Sequence, residues 1–209
     1  MTNEKIIAEK LLQINAIQLN VHQPYTWASG IKSPIYCDNR VALSYPHQRD
    51  FIKSEMCNVV FETFVDADLL CGVATAGISW GAMVADQLKL PYIYCRPEPK
   101  KHGMGNQIEG HYTTGQKCVV VEDLISTGKS SLQVVDVLEQ AGVEVIGMVA
   151  IFSYGFAQAH TQFELKQLRL KTLTNYNALI EVAIQKNIIS SDVQVALQDW
   201  NMNPQAWGQ

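Results

Sequence analysis

Residues 119–131 read VVVEDLISTGKSS, an apolar run that ends in two adjacent acidic residues and a short turn of hydroxyl-bearing residues and glycine. A continuous apolar run is typical of a strand that is buried on both faces of a sheet. From residue 129 to residue 141 the apolar positions return at the spacing of an amphipathic helix. The segment therefore predicts a buried strand, a tight turn and a helix.

The same alternation of strand and helix extends over the middle of the chain. Three further apolar runs are DLLCGVAT at 68–75, LPYIYCR at 90–96 and VEVIGMVAIF at 143–152. Helical spacing recurs at 51–64 and at 78–89. Alternating strands and helices predict an α/β fold with a central, mostly parallel sheet flanked by helices.

The two ends of the chain have different patterns. Residues 3–20 have the spacing of an amphipathic helix, and residues 21–43 carry prolines and glycine between short apolar runs, which indicates hairpins. The last forty or so residues are predicted to be helical and to pack back on the N-terminal part. We therefore predict a single domain over 1–209, with a core of about 50–155 and a small hood of about 1–45 plus the C-terminal helices.

Composition and charge exclude several classes of protein. The net charge of −4 and pI near 5.7 disfavour extended binding to duplex nucleic acid or to an anionic membrane. No signal peptide and no stretch of about 20 apolar residues are present, so we expect a cytoplasmic protein. The cysteines, without any CxxC pair, are interpreted as reduced thiols. They are Cys37, Cys57, Cys71, Cys95 and Cys118.

The turn after the apolar run is suited to a sugar phosphate. Residues 127–130, TGKS, place backbone N–H groups and hydroxyls at a helix N-terminus, where the dipole favours a phosphate. Glu122 and Asp123 lie just before this turn, and their carboxylates can accept hydrogen bonds from neighbouring sugar hydroxyls. Together these features predict a ribose 5-phosphate site. In the alternative, the two acids only cap the helix and the turn binds nothing.

Two other phosphate-binding motifs are excluded. A Walker A loop needs a second glycine five residues before Gly128, and Asp123 occupies that position. A GxGxxG dinucleotide fingerprint is incomplete, because Gly103 and Gly105 are followed at the required place by Ile108.

A long loop separates the strands that begin near Tyr92 and Val119. It is rich in glycine and positive charge, which suits a lid over an anionic ligand, although a solvated basic loop without function is the alternative. The charged and hinge residues of this loop are Arg96, Lys100, Lys101, His102, Gly103, Gly105 and Gly110.

Three segments together resemble one family. The EDLISTGKS segment is similar to the phosphoribosyl diphosphate motif of type I phosphoribosyltransferases. With YTWASGIKSPIYCDNR at 25–40 and RPEPKKHGMGNQIEG at 96–110, the chain resembles the orotate phosphoribosyltransferases over nearly its whole length. The resemblance implies transfer of ribose 5-phosphate from phosphoribosyl diphosphate to orotate, giving orotidine 5′-monophosphate and diphosphate in de novo UMP synthesis. It also implies Mg²⁺ held mainly through the substrate, and a homodimer whose loop is shared across the interface.

The resemblance also assigns roles to individual residues. Lys100, His102 and Asp123 are expected to be catalytic, and Ser126 is expected to contact orotate. The residues expected to bind phosphoribosyl diphosphate are Arg96, Lys100, His102, Glu122, Asp123, Leu124, Ile125, Ser126, Thr127, Gly128, Lys129 and Ser130.

The chain departs from the family pattern at a few positions. Ala28, Ala76 and Pro97 stand where relatives often carry lysine, and Ser153-Tyr154 stands where an arginine is frequent. Arg40 or Lys32 could supply the missing charge, and an ordinary surface role fits either residue equally well.

Two functional alternatives stay open at this point. One is a type I transferase for another base, because EDLISTGKS reads only the sugar phosphate. The other is a non-catalytic regulator on the same fold, which would need a basic nucleic-acid surface that the sequence does not show.

Overall fold

The structure is a computed structural model that describes residues 2–27, 30–96 and 107–207. The helices are α1 (Asn3–Gln13), α2 (Pro46–Thr63), α3 (Ala76–Leu88), α4 (Lys129–Gln140), α5 (Ala157–Leu165), α6 (Tyr176–Gln185) and α7 (Gln194–Met202), with short 3-10 helices at Asn39–Ser44 and Ser191–Val193. The strands are β1 (Ile17–Leu19), β2 (Tyr25–Thr26), β3 (Lys32–Ser33), β4 (Ile35–Cys37), β5 (Leu69–Val73), β6 (Tyr92–Cys95), β7 (Ile108–Glu109), β8 (Lys117–Ile125), β9 (Glu144–Ser153) and β10 (Leu170–Asn175).

Six strands form the central sheet in the order β10-β9-β8-β5-β6-β7. All neighbouring pairs are parallel except β6 and β7, so the predicted mostly parallel sheet flanked by helices is confirmed. In chain order, β5, β6 and β7 lead from the centre to one edge of the sheet, and β8, β9 and β10 lead from the centre to the other edge. A crevice therefore opens at the carboxyl ends of β5 and β8, which is where α/β sheets usually bind ligands.

Strand β8 is buried on both faces of the sheet, which explains its continuously apolar sequence. Val119 and Val121 pack in a cluster with α1, α2, α3 and α6, whereas Val120 packs on the opposite face with α4 and α5. All three side chains have no solvent exposure. Burying a valine contributes about 1.5–3 kcal/mol, so both layers of helices stabilise the strand that leads into the acidic residues.

Small antiparallel ribbons precede the core, and the C-terminal helices contact them. β1 pairs with β4, and β2 pairs with β3. The indole Nε1 of Trp200 in α7 donates to the main-chain carbonyl of Lys32 in β3 at 3.0 Å. The C-terminal part thus packs back on the N-terminal part, as the sequence predicts.

Two element predictions were wrong. The first helix ends at Gln13 instead of near residue 20, because Asn15 has a left-handed φ of 55° and residues 17–19 pair with β4. Residues 170–175 form strand β10 inside a stretch that was predicted to be helical, because their backbone pairs with β9. In both places a partner distant in sequence decides the local conformation.

None of the helices in the described parts of the chain combines the length and the apolar character that crossing a membrane requires.

Candidate active site

The carboxyl ends of β5 and β8 border a cavity of about 410 Å³. Three segments supply its walls: the end of β8 with the turn into α4, the turn between β5 and α3, and the start of the 3-10 helix after β4. The lining residues are Cys37, Asp38, Arg40, Val73, Ala74, Thr75, Ala76, Glu122, Asp123, Leu124, Ser126, Thr127, Gly128, Ser130 and Ser131. We refer to it as the larger cavity.

The turn from β8 into α4 exposes backbone donors to this cavity. Gly128 has φ 79°, and a Cβ atom there would lie 3.0 Å from the ring of Phe163, so both the conformation and the space favour glycine. The N-cap residue of α4 is Gly128, which has no side chain with which to cap the first turn. The N–H groups of that turn, beside the hydroxyls of Thr127 and Ser130, are therefore free to bind an anion.

The opposite wall is the turn between β5 and α3. Ala74, Thr75 and Ala76 line the cavity there, and the Ala74–Thr75 peptide bond is cis. Gly77 follows, where a Cβ atom would lie 2.5 Å from the carbonyl oxygen of Val121. Because Gly77 has no side chain, α3 begins directly against β8 and the two turns face each other across the cavity.

Glu122 is buried, and its side chain accepts two hydrogen bonds from protein groups. Its Oε1 accepts from the backbone N–H of Asp123 at 2.9 Å, and its Oε2 accepts from the hydroxyl of Ser131 at 3.0 Å. Burial, together with the neighbouring charge of Asp123, raises the pKa of Glu122 well above its ordinary value. The contacts hold the carboxylate at the base of the cavity, between β8 and the first turn of α4.

The backbone of Asp123 is held by a side chain of the 3-10 helix at Asn39–Ser44. The side-chain amide of Asn39 donates to the main-chain carbonyl of Asp123 at 2.8 Å. Burial raises the pKa of the Asp123 carboxyl, and the hydrogen bond to Glu122 and the Arg40 charge oppose that rise. Nearby, Arg40 forms two hydrogen bonds to Asp38, from Nε at 2.7 Å and from Nη2 at 2.9 Å. The positive charge of Arg40 is thus already paired.

A second cavity of about 260 Å³ adjoins the first and shares Cys37, Leu124 and Ser126 with it. Aromatic rings dominate its walls, and we refer to it as the aromatic pocket. Its full lining is Thr26, Trp27, Tyr36, Cys37, Leu124, Ser126 and Tyr154. A planar ring of the size of a single base fits such a site, since aromatic walls offer stacking and the hydroxyls offer hydrogen bonds.

Helix α7 supports the aromatic pocket from behind. Trp200 contacts both Trp27 and Tyr154 edge to face, at ring-centroid distances of 5.8 Å. The side-chain amide of Asn201 donates to the main-chain carbonyl of Tyr154 at 2.7 Å. Tyr154 also stacks on Phe156 at 5.3 Å with nearly parallel rings. The pocket is therefore built jointly by the N-terminal ribbons, β8, the end of β9 and the C-terminal helix.

The structure brings most of the described predicted site residues together. Those that line the larger cavity are Glu122, Asp123, Leu124, Ser126, Thr127, Gly128 and Ser130, and Ser126 also lines the aromatic pocket.

Three other predicted site residues line neither cavity. Ile125 has no exposed side-chain surface and packs in the core with α4 and α5. Lys129 is exposed, and Arg96, just after β6, has its guanidinium 5.7 Å from the ring of Tyr94. Lys100 and His102 lie outside the described residues.

Sequence reasoning missed several residues that build the site. Asn39 is fully buried and reaches Asp123 from 84 positions away, so no local pattern could reveal the contact. Trp27 also belongs to the pocket only through the tertiary fold. The contact of Ser131 with Glu122 could have been predicted from sequence, because a residue in the first turn of α4 can point back toward the strand that precedes the helix.

A metal site composed only of protein groups is not found within 2–27, 30–96 and 107–207, where no three His, Cys, Asp or Glu side chains cluster suitably. Each carboxylate oxygen of Glu122 already accepts one hydrogen bond from a protein group and has the capacity for another, and Asp123 lines the cavity as a second acid. This donor set suits Mg²⁺ that takes most of its ligands from a bound substrate and from water.

Comparisons with known proteins agree with this geometry. Residues 58–187 match the phosphoribosyl transferase domain family. The chain is 51% identical over 208 residues to orotate phosphoribosyltransferase of Listeria innocua, covering 100% of each chain. It is 48% identical over 204 residues to orotate phosphoribosyltransferase of Porphyromonas gingivalis, covering 98% of this chain and 97% of the relative. The solved structure of orotate phosphoribosyltransferase from Aeropyrum pernix superposes with a TM-score of 0.75 at 27% identity, over 88% of this chain and 99% of that one.

Proposed function

The chain belongs to the phosphoribosyltransferase family, within it to the orotate phosphoribosyltransferases, and from this premise we propose how its two cavities divide the substrates. The enzyme transfers ribose 5-phosphate from 5-phosphoribosyl 1-diphosphate to orotate, and it releases diphosphate and orotidine 5′-monophosphate in de novo pyrimidine synthesis. The larger cavity takes phosphoribosyl diphosphate, and the aromatic pocket takes orotate.

One observation carries this assignment. The larger cavity joins an uncapped helix N-terminus to two adjacent carboxylates, and it opens at Leu124 and Ser126 into the aromatic pocket. A sugar phosphate bound at the helix would present its anomeric carbon toward the shared wall. A base in the aromatic pocket would meet that carbon from the other side.

Each wall has a chemical task in this arrangement. The turn at 126–128 and the start of α4 bind the 5-phosphate through backbone N–H groups and hydroxyls. Glu122 and Asp123 accept hydrogen bonds from the ribose hydroxyls. Thr75 and Ala76, on the facing turn, lie where backbone donors can contact the diphosphate.

Bond breaking requires stabilisation of the leaving diphosphate, because the ribose acquires positive charge in an oxocarbenium-like transition state. Mg²⁺ carried by the substrate would offset part of the diphosphate charge. We assign the remaining neutralisation to Lys100 and His102, with Arg96 at the start of the same loop. Asp123 faces the developing positive charge on the sugar, and no protein nucleophile is needed.

The proposal also covers the loop of 96–110, the division of the chain into hood and core, and the location of the protein. The loop of 96–110 closes over the diphosphate and reaches the site of a second subunit in a homodimer. Residues 1–45 with the C-terminal helices form a hood on a core of about 50–155. The contact between Trp200 and Lys32 supports this division. A cytoplasmic location is part of the same proposal.

The test is the loss of orotate absorbance when the purified protein meets Mg²⁺ and phosphoribosyl diphosphate. Uracil, hypoxanthine and adenine are assayed in parallel. Consumption of orotate alone is expected. Consumption of another base would leave the sugar-phosphate assignment in place and refute the assignment of the aromatic pocket, whereas tight binding of phosphoribosyl diphosphate without turnover of any base would refute the enzymatic proposal.

A further inference from the structure

We propose that Lys32, on the hairpin strand β3, is the residue that recognises the carboxylate of orotate and so selects it over uncharged pyrimidines. This proposal is based on the position of the Lys32 ammonium group. It contacts the side chain of Thr26, and Thr26 lines the aromatic pocket. The inference deepens the proposed function and rests on it.

The described residues that line the aromatic pocket carry no positive charge that could pair with the carboxylate of orotate. Its lining offers hydroxyls, a thiol and aromatic rings, and within the described chain no lysine, arginine or histidine belongs to it. Orotate differs from uracil by a carboxylate, which loses water when it enters a pocket and needs a charged or hydrogen-bonding partner there. A cation close to the rim of the pocket would supply such a partner and would favour orotate over an uncharged pyrimidine.

Lys32 is positioned by the hairpin to supply that cation. β2 and β3 pair so that Thr26 and Lys32 are directly opposite, and their side chains therefore project from the same face of the ribbon. The Nζ atom of Lys32 donates to Thr26 Oγ1 at 2.8 Å. An ammonium group has three N–H donors, so two remain for a ligand at the mouth of the pocket.

The charge of Lys32 is also available, which distinguishes it from Arg40. Within the described part of the chain no acidic side chain forms an ion pair with Lys32, whereas both carboxylate oxygens of Asp38 accept hydrogen bonds from Arg40. Arg40 lines the larger cavity and is absent from the wall of the aromatic pocket. Lys32 is therefore the better partner for an anion in that pocket.

The backbone of Lys32 is fixed on the same support as the pocket. Its carbonyl accepts a 3.0 Å hydrogen bond from Trp200 Nε1, and Trp200 packs on Trp27 and Tyr154. The next residue, Ser33, is fully buried and donates from its hydroxyl to the carbonyl of Ile35 at 2.7 Å. The backbone from which the Lys32 side chain extends is therefore held relative to the pocket walls.

The experiment compares Lys32→Met, Lys32→Arg and the control Lys171→Met in steady-state kinetics, with uracil as a competitive inhibitor that has no carboxylate. Lys171 is an exposed lysine on β10 that lines neither cavity. We expect K32M to raise the KM for orotate about 10-fold to 100-fold, as loss of a charge-assisted hydrogen bond does. The inhibition constant of uracil and the KM for phosphoribosyl diphosphate should stay unchanged, and K32R should recover most of the orotate affinity.

A purely structural role for Lys32 has a different signature. If the contact with Thr26 only stabilised the hairpin, K32M would weaken orotate and uracil equally, and that result would overturn the inference. The same holds if K32M behaves like K171M, or if K32M loses orotate affinity and K32R fails to restore it although both melt like the wild type. Failure of the proposed function is separate, because it would appear as wild-type protein that does not consume orotate.

Discussion

The side-chain amide of Asn39 donates a 2.8 Å hydrogen bond to the main-chain carbonyl of Asp123. Asn39 is fully buried, and its Oδ1 lies 3.6 Å from the Sγ of Cys37 at the end of β4. A single side chain thus joins the N-terminal ribbon, the 3-10 helix and the acidic end of β8. The position of Asp123 in the larger cavity depends on this link.

Replacing Asn39 with alanine should weaken both folding and sugar-phosphate binding. The main-chain carbonyl of Asp123 would lose its partner in a buried setting, which costs about 1–3 kcal/mol. We expect a lower free energy of unfolding by denaturant and a higher KM for phosphoribosyl diphosphate. Asn58→Ala is the matched control, since Asn58 is an exposed asparagine on α2. Equal behaviour of N39A and N58A would contradict the positioning role of Asn39.

The part of the site that could be predicted from sequence is the part made of neighbours in the chain. Strand β8, the turn at 126–128 and helix α4 are contiguous, so hydrophobic period and turn residues were sufficient. Asn39, Trp27 and Trp200 reach the site through tertiary packing, which a single sequence does not encode in any local pattern. Strand β10 was missed for the same reason, because pairing with β9 overrides its local preference.

Replacing Glu122 with glutamine should stabilise the protein and impair it as an enzyme. Burial raises the pKa of Glu122, so the folded protein binds this proton more tightly than the unfolded chain does. Stability from this group is therefore full below the ordinary carboxyl pKa and falls as the pH rises toward the raised value. Glutamine cannot ionise, so the melting temperature of E122Q relative to wild type should increase as the pH rises above the ordinary carboxyl pKa of about 4.3.

The same variant should bind phosphoribosyl diphosphate more weakly, because an amide replaces one of the acceptor oxygens that face the ribose. Glu62→Gln is the control, since Glu62 is exposed on α2. A melting difference for E122Q that is constant with pH would show that Glu122 is ionised equally in both states, contrary to its burial.

Alanine at Gly128 should disrupt the phosphate-binding turn. Gly128 has φ 79°, and an added Cβ would meet the Phe163 ring at 3.0 Å. A left-handed conformation costs a non-glycine residue about 1–2 kcal/mol, and the contact with Phe163 would displace the turn in addition. We expect G128A to raise the KM for phosphoribosyl diphosphate strongly and to lower the melting temperature.

The control Gly115→Ala separates the loss of stability from the loss of affinity for phosphoribosyl diphosphate. Gly115 has φ 84°, an added Cβ there would meet no atom within 4 Å, and the residue lines neither cavity. G115A should therefore lose stability through backbone strain and keep its substrate affinities. A normal KM for phosphoribosyl diphosphate in G128A would refute the assignment of this turn to the 5-phosphate.

Alanine at Lys100 or His102 should lower turnover much more than it changes stability. The proposed task of both residues is to neutralise the departing diphosphate, so the loss should appear in kcat. Thermal melting and the KM for orotate should be close to wild type. Lys89→Ala is the control, because Lys89 is an exposed lysine at the end of α3 that pairs with Asp86. Near-normal kcat in both loop variants would remove them from the mechanism.

Substitution of Trp200 tests whether the C-terminal helix belongs to the active site. The Trp200 ring is fully buried between Trp27, Tyr154 and Tyr176, and its Nε1 donates to Lys32. Trp200→Phe keeps an aromatic ring and removes the hydrogen bond, which should cost about 0.5–1.5 kcal/mol, whereas Trp200→Ala should cost about 3–5 kcal/mol.

The kinetic consequence should be confined to one substrate. Because Trp200 supports the aromatic pocket and is absent from the lining of the larger cavity, W200F should raise the KM for orotate and leave that for phosphoribosyl diphosphate unchanged. Leu165→Ala is the control, since Leu165 is an exposed apolar residue at the end of α5. If W200F were destabilised without any change in the KM for orotate, α7 would serve the fold alone. A selective rise would show that the far end of the chain helps to shape the base site.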